Sequence, residues 1–90
     1  MLRIHLNSTA LQAAAYQERP AMLELEFRSG AIYQYLGVPA QIYYELLLAE
    51  SKGRYFHSHI CDRFSHTKIH PAEPKSRFPL QAGAAGYSTD

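Results

Sequence analysis

Leu23-Glu24-Leu25-Glu26-Phe27 alternates apolar and acidic side chains, the period of two expected of a strand with one buried face. Ser29-Gly30 interrupts it, and Ile32-Tyr33-Gln34-Tyr35-Leu36 resumes strand-forming sequence. The three pieces make a hairpin, and its loop length sets which side chains face inward, because a slip of one residue turns a whole strand over. A two-residue loop would force Ser29 to positive φ. A three-residue Arg28-Ser29-Gly30 loop needs positive φ only at Gly30, as in a type I turn closed by a G1 bulge. The longer loop is therefore expected, with Leu25 opposite Tyr33 and Leu23 opposite Tyr35. Both tyrosines then share the face of the leucines.

Upstream, Gln12–Gln17 reads as a further strand of the same meander, with Glu18-Arg19-Pro20 as its turn. Downstream, Pro39 suits the first turn of a helix, where its missing N–H has no partner to lose. Ile42, Tyr43, Leu46, Leu47 and Ala49 recur at helical spacing and predict a helix over 39–50, with Gly53 as the left-handed residue that ends it. A shorter helix is expected from Arg54 to about Asp62, with Phe56 and Ile60 on one face. The predicted class is α+β: a three-stranded antiparallel β-meander packed on two C-terminal helices, over residues 1–64. From Ser65 onward, Pro71, Pro74, Pro79, Gly83 and Gly86 interrupt every run before it gains length. Ile69, Phe78, Leu80 and Tyr87 show no period, so residues 65–90 are expected to be a disordered tail.

The chain has 90 residues and a formal charge of +1, enough for one small domain and too little net charge to demand a polyanion. The mean conceals an asymmetry, since residues 1–50 sum to −2 and residues 51–90 to +3, and four of the five histidines fall in the second part. Cys61 is alone and closes no internal disulfide, which excludes a disulfide scaffold and points to a cytoplasmic setting. No apolar run is long enough for a membrane span, and Met1–Ser8 alternates charged and apolar groups unlike a signal peptide.

The ordered series Leu23-Glu24-Leu25-Glu26-Phe27, Ser29-Gly30, Tyr33-Gln34-Tyr35, Val38-Pro39, Ile42-Tyr43, Leu46-Leu47, Ala49 and Ser51-Lys52-Gly53-Arg54-Tyr55-Phe56 resembles the KTSC domain. That family takes its name from the C-terminus of certain lysyl-tRNA synthetases and includes short free-standing bacterial and phage proteins. The resemblance spans roughly residues 5–64 and centres on Tyr33 and Tyr35. It implies a binding module for which RNA has been inferred from the synthetase connection, with no established activity. His57 departs from the family, which often carries Asn after the Tyr-Phe pair.

Each candidate residue has a sharp and a plain reading. Tyr33 and Tyr35 suit a stacking platform for bases, while the hairpin register favours core packing with their hydroxyls seeking partners. Lys52, Arg54, Arg63 and Lys68, interleaved with Tyr55, Phe56 and Phe64, form the best patch for a polyanion, yet cations beside a helix C-terminus also simply complement its dipole. His57, His59, Cys61, His66 and His70 supply metal-ligand chemistry. On a helix, however, His57 and Cys61 share a face that His59 does not, so no metal site and no cofactor are expected. Cys61 has no orienting carboxylate beyond its neighbour Asp62, and no phosphate loop, dinucleotide fingerprint or His-Glu-x-x-His occurs. An enzyme is not expected.

Two readings follow. The first is a non-enzymatic module binding RNA or another polyanion through Lys52, Arg54, Tyr55 and Arg63, with Tyr33 and Tyr35 as further contacts. The second is a protein-interaction module, homodimeric in one form, that meets its partner through the sheet edge near Leu11–Tyr16 or an apolar patch.

Overall fold

The hairpin forms with the three-residue loop. In the computed structural model, which describes residues 1–70, β3 (Ala21–Phe27) and β4 (Ile32–Leu36) pair with Leu25 opposite Tyr33 and Leu23 opposite Tyr35. Gly30 takes φ 97°, and its N–H donates to the Phe27 carbonyl at 2.9 Å, closing the turn. Only glycine adopts that conformation without cost.

The sheet is larger than the sequence suggested. It has five antiparallel strands in chain order, β1 (Arg3–His5), β2 (Leu11–Glu18), β3, β4 and β5 (His66–His70). The three-stranded expectation is corrected at both edges. β1 pairs Arg3, Ile4 and His5 with Ala15, Ala14 and Ala13, so the edge near Leu11–Tyr16, expected to be open to a partner, is covered by the chain's own N-terminal segment. β5 pairs with β4, so residues 66–70, expected to begin the tail, belong to the sheet. The remainder of the expected tail, residues 71–90, lies outside the described residues.

Two helices, α1 (Ala40–Leu48) and α2 (Lys52–His59), connect β4 to β5. Pro39 lies one residue ahead of the first-turn position expected for it, as the extended N-cap of α1, and Gly53 does not end that helix. Ser51 instead begins α2, its hydroxyl oxygen accepting from the Arg54 N–H at 3.3 Å, a common serine N-cap. Gly53 therefore sits in the first turn of α2. A Cβ there would lie 3.1 Å from the Ala10 Cβ, so the glycine admits close approach of the loop before β2.

One sheet face packs under the helices. Leu11, Leu23, Leu25, Val38, Leu46 and Ile60 are fully buried there, with Tyr35, Tyr43 and Phe56 around them. Burial of each large apolar side chain contributes about 1.5–3 kcal/mol before the entropy of folding is charged against it. Tyr16 joins sheet to helix: its ring stacks on Tyr43 at 5.1 Å, and its hydroxyl donates to the Val38 carbonyl at 2.6 Å.

Candidate nucleic-acid interface

β4 and β5 line up two rows of side chains on the helix side of the sheet. Tyr35 lies opposite His66 and Tyr33 opposite Lys68. Beside them, Phe27 from β3 and Phe56 from α2 approach, and the rings interlock. Phe27 meets Tyr33 and Phe56 edge-on at 5.8 and 5.3 Å, and Tyr35 meets Phe56 at 5.7 Å. Tyr33 and Tyr35 run nearly parallel, with centroids 6.2 Å apart. β5 is the edge strand of the sheet here, and a groove of about 450 Å³ is floored by these four rings. Ser29, Ala31, Cys61, Asp62 and His66 complete its walls.

The two tyrosines divide the readings offered for them. Tyr35 is 4% exposed and belongs to the core. Burial, with smaller repulsions from Cys61, Tyr33 and Asp62, pushes its hydroxyl up to about 12, so it remains a neutral donor. Tyr33 is half-buried and borders the groove. The Lys68 ammonium stands 5.7 Å from its ring centroid, a cation–π distance. His66 tilts against both tyrosines at 5.5 and 5.4 Å.

Asp62 enters the groove because the chain turns sharply after α2. Its φ is 63°, the left-handed region that Asp tolerates better than most residues. Among the described residues its carboxylate has no hydrogen-bond or ion-pair partner. Arg63 follows it, exposed, with its backbone N–H donating to the Ile60 carbonyl.

The other cations of the expected patch lie elsewhere. Lys52 Nζ donates to the Ala49 carbonyl at 2.9 Å, tying the end of α1, in keeping with the plain reading of a cation at a helix C-terminus. Arg54 is exposed in the first turn of α2. The Tyr55 hydroxyl donates to Glu45 Oε1 at 2.6 Å, and its ring stacks on His59 at 4.2 Å. Burial and that carboxylate push Tyr55 up to about 12, while hydrogen bonds from Tyr55 and Gln41 hold Glu45 below its ordinary value. None of the three lines the groove. Phe27, Phe56, Asp62 and His66 do; sequence reasoning had named Phe56 with the polyanion patch and His66 with the metal candidates, and had not grouped these four, which helix packing and the β4–β5 pairing bring together.

The histidines are dispersed as well. His57 packs against the Phe56 ring and His59 against Tyr55. No group of three His, Cys, Asp or Glu residues among those described is arranged to hold a metal ion. No helix among the described residues is long and apolar enough to cross a membrane.

Fold and groove together define a small α+β meander domain with an aromatic concave surface. Residues 7–64 match the family model of the KTSC domain, and the chain belongs to that family. It is similar to a crystallographically solved KTSC domain protein of Yersinia pestis, with a TM-score of 0.73 and 37% identity over 76% of this chain and 96% of that one. An uncharacterized protein of Stutzerimonas stutzeri is 43% identical over 56 residues, covering 62% of this chain and 79% of the relative. A lysine–tRNA ligase of a Nostoc species is 41% identical over 59 residues, which make up 66% of this chain but 10% of the ligase.

Proposed function

We propose that this domain is a non-enzymatic binding module for single-stranded RNA, with one base seated in the aromatic groove and Lys68 and Arg63 serving the adjoining phosphates. The observation that carries the reading is the partly buried Tyr33 ring at the groove with the Lys68 ammonium over it. A base that takes the ring's face releases that flexible ammonium to a phosphate. Stacking of a base on an aromatic side chain contributes about 1–3 kcal/mol, and each neutralised phosphate adds a salt-sensitive increment. A duplex keeps its bases stacked on one another and does not present them to such a groove. The likeness to a stretch of lysine–tRNA ligases, whose name places them at an RNA, supports the same class of ligand.

The surface expected from sequence, Lys52, Arg54 and Tyr55, gives less support, because Lys52 and Tyr55 already serve internal partners. A protein partner is the second reading. It rests on Tyr44 and Leu48, which lie four residues apart on α1 with 59% and 85% of their surface exposed.

The test is a fluorescence-anisotropy titration of the full chain with single-stranded RNA, duplex RNA and heparin across a salt series. Saturable binding that prefers single-stranded RNA and weakens in Tyr33→Ala supports the reading. Equal binding to all three polyanions, or none at low salt, overturns it.

A further inference from the structure

The groove contains one anion, and a carboxylate is an unexpected wall for a site that receives a polyanion. Asp62 repels any phosphate that approaches it. It also offers two acceptor oxygens that no described residue occupies. The other polar side chains that line the groove with it are Ser29 in the hairpin loop, Tyr33 and Tyr35 on β4, His66 on β5, and Cys61 beside it in the chain. None supplies a fixed positive charge. The two cations nearby stand outside the lining, Lys68 over the Tyr33 ring and Arg63 exposed next after Asp62 in the chain.

This division separates the two ends of a nucleotide: phosphate towards Lys68, base edge towards Asp62. From it we infer that the groove selects guanine, whose Watson–Crick edge presents two adjacent N–H donors to the paired oxygens of Asp62 while its ring stacks on Tyr33. Uracil presents one donor between two carbonyls, and those carbonyls face a carboxylate unfavourably. Adenine and cytosine each offer an amino group beside an unprotonated ring nitrogen, so they give one hydrogen bond where guanine gives two. The inference rests on the reading of the groove as an RNA-base site.

The experiment titrates the full chain with a short single-stranded oligouridylate and with the same RNA carrying one central guanosine or one central inosine. A well-formed bidentate contact discriminates by about tenfold or more. The guanosine RNA is expected to bind about tenfold tighter than oligouridylate, with inosine between them because it lacks the amino group. Asp62→Asn retains a residue that tolerates left-handed backbone and substitutes an amide N–H for one acceptor. That variant is expected to lose the guanosine preference and to bind oligouridylate somewhat more tightly than the unmodified chain, because the uracil carbonyls then meet an amide N–H in place of a carboxylate.

Equal affinity for the three RNAs overturns the inference and leaves the base-stacking reading standing, whereas no binding to any of them overturns both. A guanosine preference that survives in Asp62→Asn removes Asp62 from the recognition. Weakened binding of all RNAs by that variant, with an unchanged thermal midpoint, also contradicts it, since Asp62 would then serve RNA affinity without reading the base.

Discussion

The two faces of the sheet use their charges differently. On the solvent face, Arg3 donates to Glu24 and to Glu26, the latter at 2.7 Å, and Gln34 donates to Glu24 at 3.0 Å. The register aligns Arg3, Ala15, Glu24, Gln34 and Thr67 in one row across the five strands. The charged groups at the heart of that row satisfy one another. On the helix face, Lys68 and Asp62 have no opposite charge bound to them among the described residues, and they border the aromatic groove. A charge bonded within the fold serves the fold, while an uncommitted charge beside an aromatic groove is available to a ligand.

The contrast breaks first on stability. Leu25→Ala, in the fully buried helix face, is expected to cost about 2–5 kcal/mol, a large part of what a domain this small possesses. Arg3→Ala, on the solvent face, is expected to cost no more than about 1 kcal/mol because its ion pairs are partly exposed. Denaturant titration of both variants checks the ordering, and equal losses would erase the distinction.

Binding separates the faces next. Tyr33→Ala is expected to lower single-stranded RNA affinity by about 1–3 kcal/mol, whereas Glu24→Gln leaves it unchanged in the same anisotropy assay. Lys68→Ala is expected to reduce the salt slope of binding by about 0.7, the contribution of one phosphate contact on a single strand. Lys52→Ala, whose ammonium is bonded to the Ala49 carbonyl, is expected to leave that slope unaltered and to lower the thermal midpoint slightly.

The smallest effect concerns pH and the pair joining α1 to α2. Glu45 is held below its ordinary value of 4.5 by hydrogen bonds from Tyr55 and Gln41. A carboxyl whose folded pKa is depressed adds stability above its unfolded value and loses it as pH falls through the folded value. The thermal midpoint of the unmodified chain relative to Glu45→Gln is therefore expected to decline as pH falls below 4.5. A difference that stays constant through that range would contradict the assignment.

What sequence revealed of this molecule follows the range of the interactions involved. The β3–β4 hairpin was legible because Gly30 admits the turn and the alternation fixes the faces, both within fifteen residues. β1 escaped notice because Arg3-Ile4-His5 is short and exposed, and its stabilising partners, Glu24 and Glu26, lie more than twenty residues away. β5 was obscured by the prolines that follow it and by a register irregularity where it meets Ile32 and Tyr33. Gly53 misled because glycine commonly marks a helix end, whereas here it relieves crowding against Ala10. In the candidate site, Tyr33 and Tyr35 were visible from the strand pattern. Asp62 and His66 were weighed only as possible companions of Cys61 or as metal ligands, since their place in the groove depends on how the end of α2 meets β5.

Amide chemical-shift mapping of the isotope-labelled full chain during titration with single-stranded RNA tests the central claim most directly, because it reads every face of the domain at once. The account expects the perturbations to gather at Tyr33, Tyr35, Asp62, His66 and Lys68, with Arg3, Glu24 and Glu26 unmoved. Perturbations confined to the solvent face, or to α1 around Tyr44 and Leu48, would contradict it.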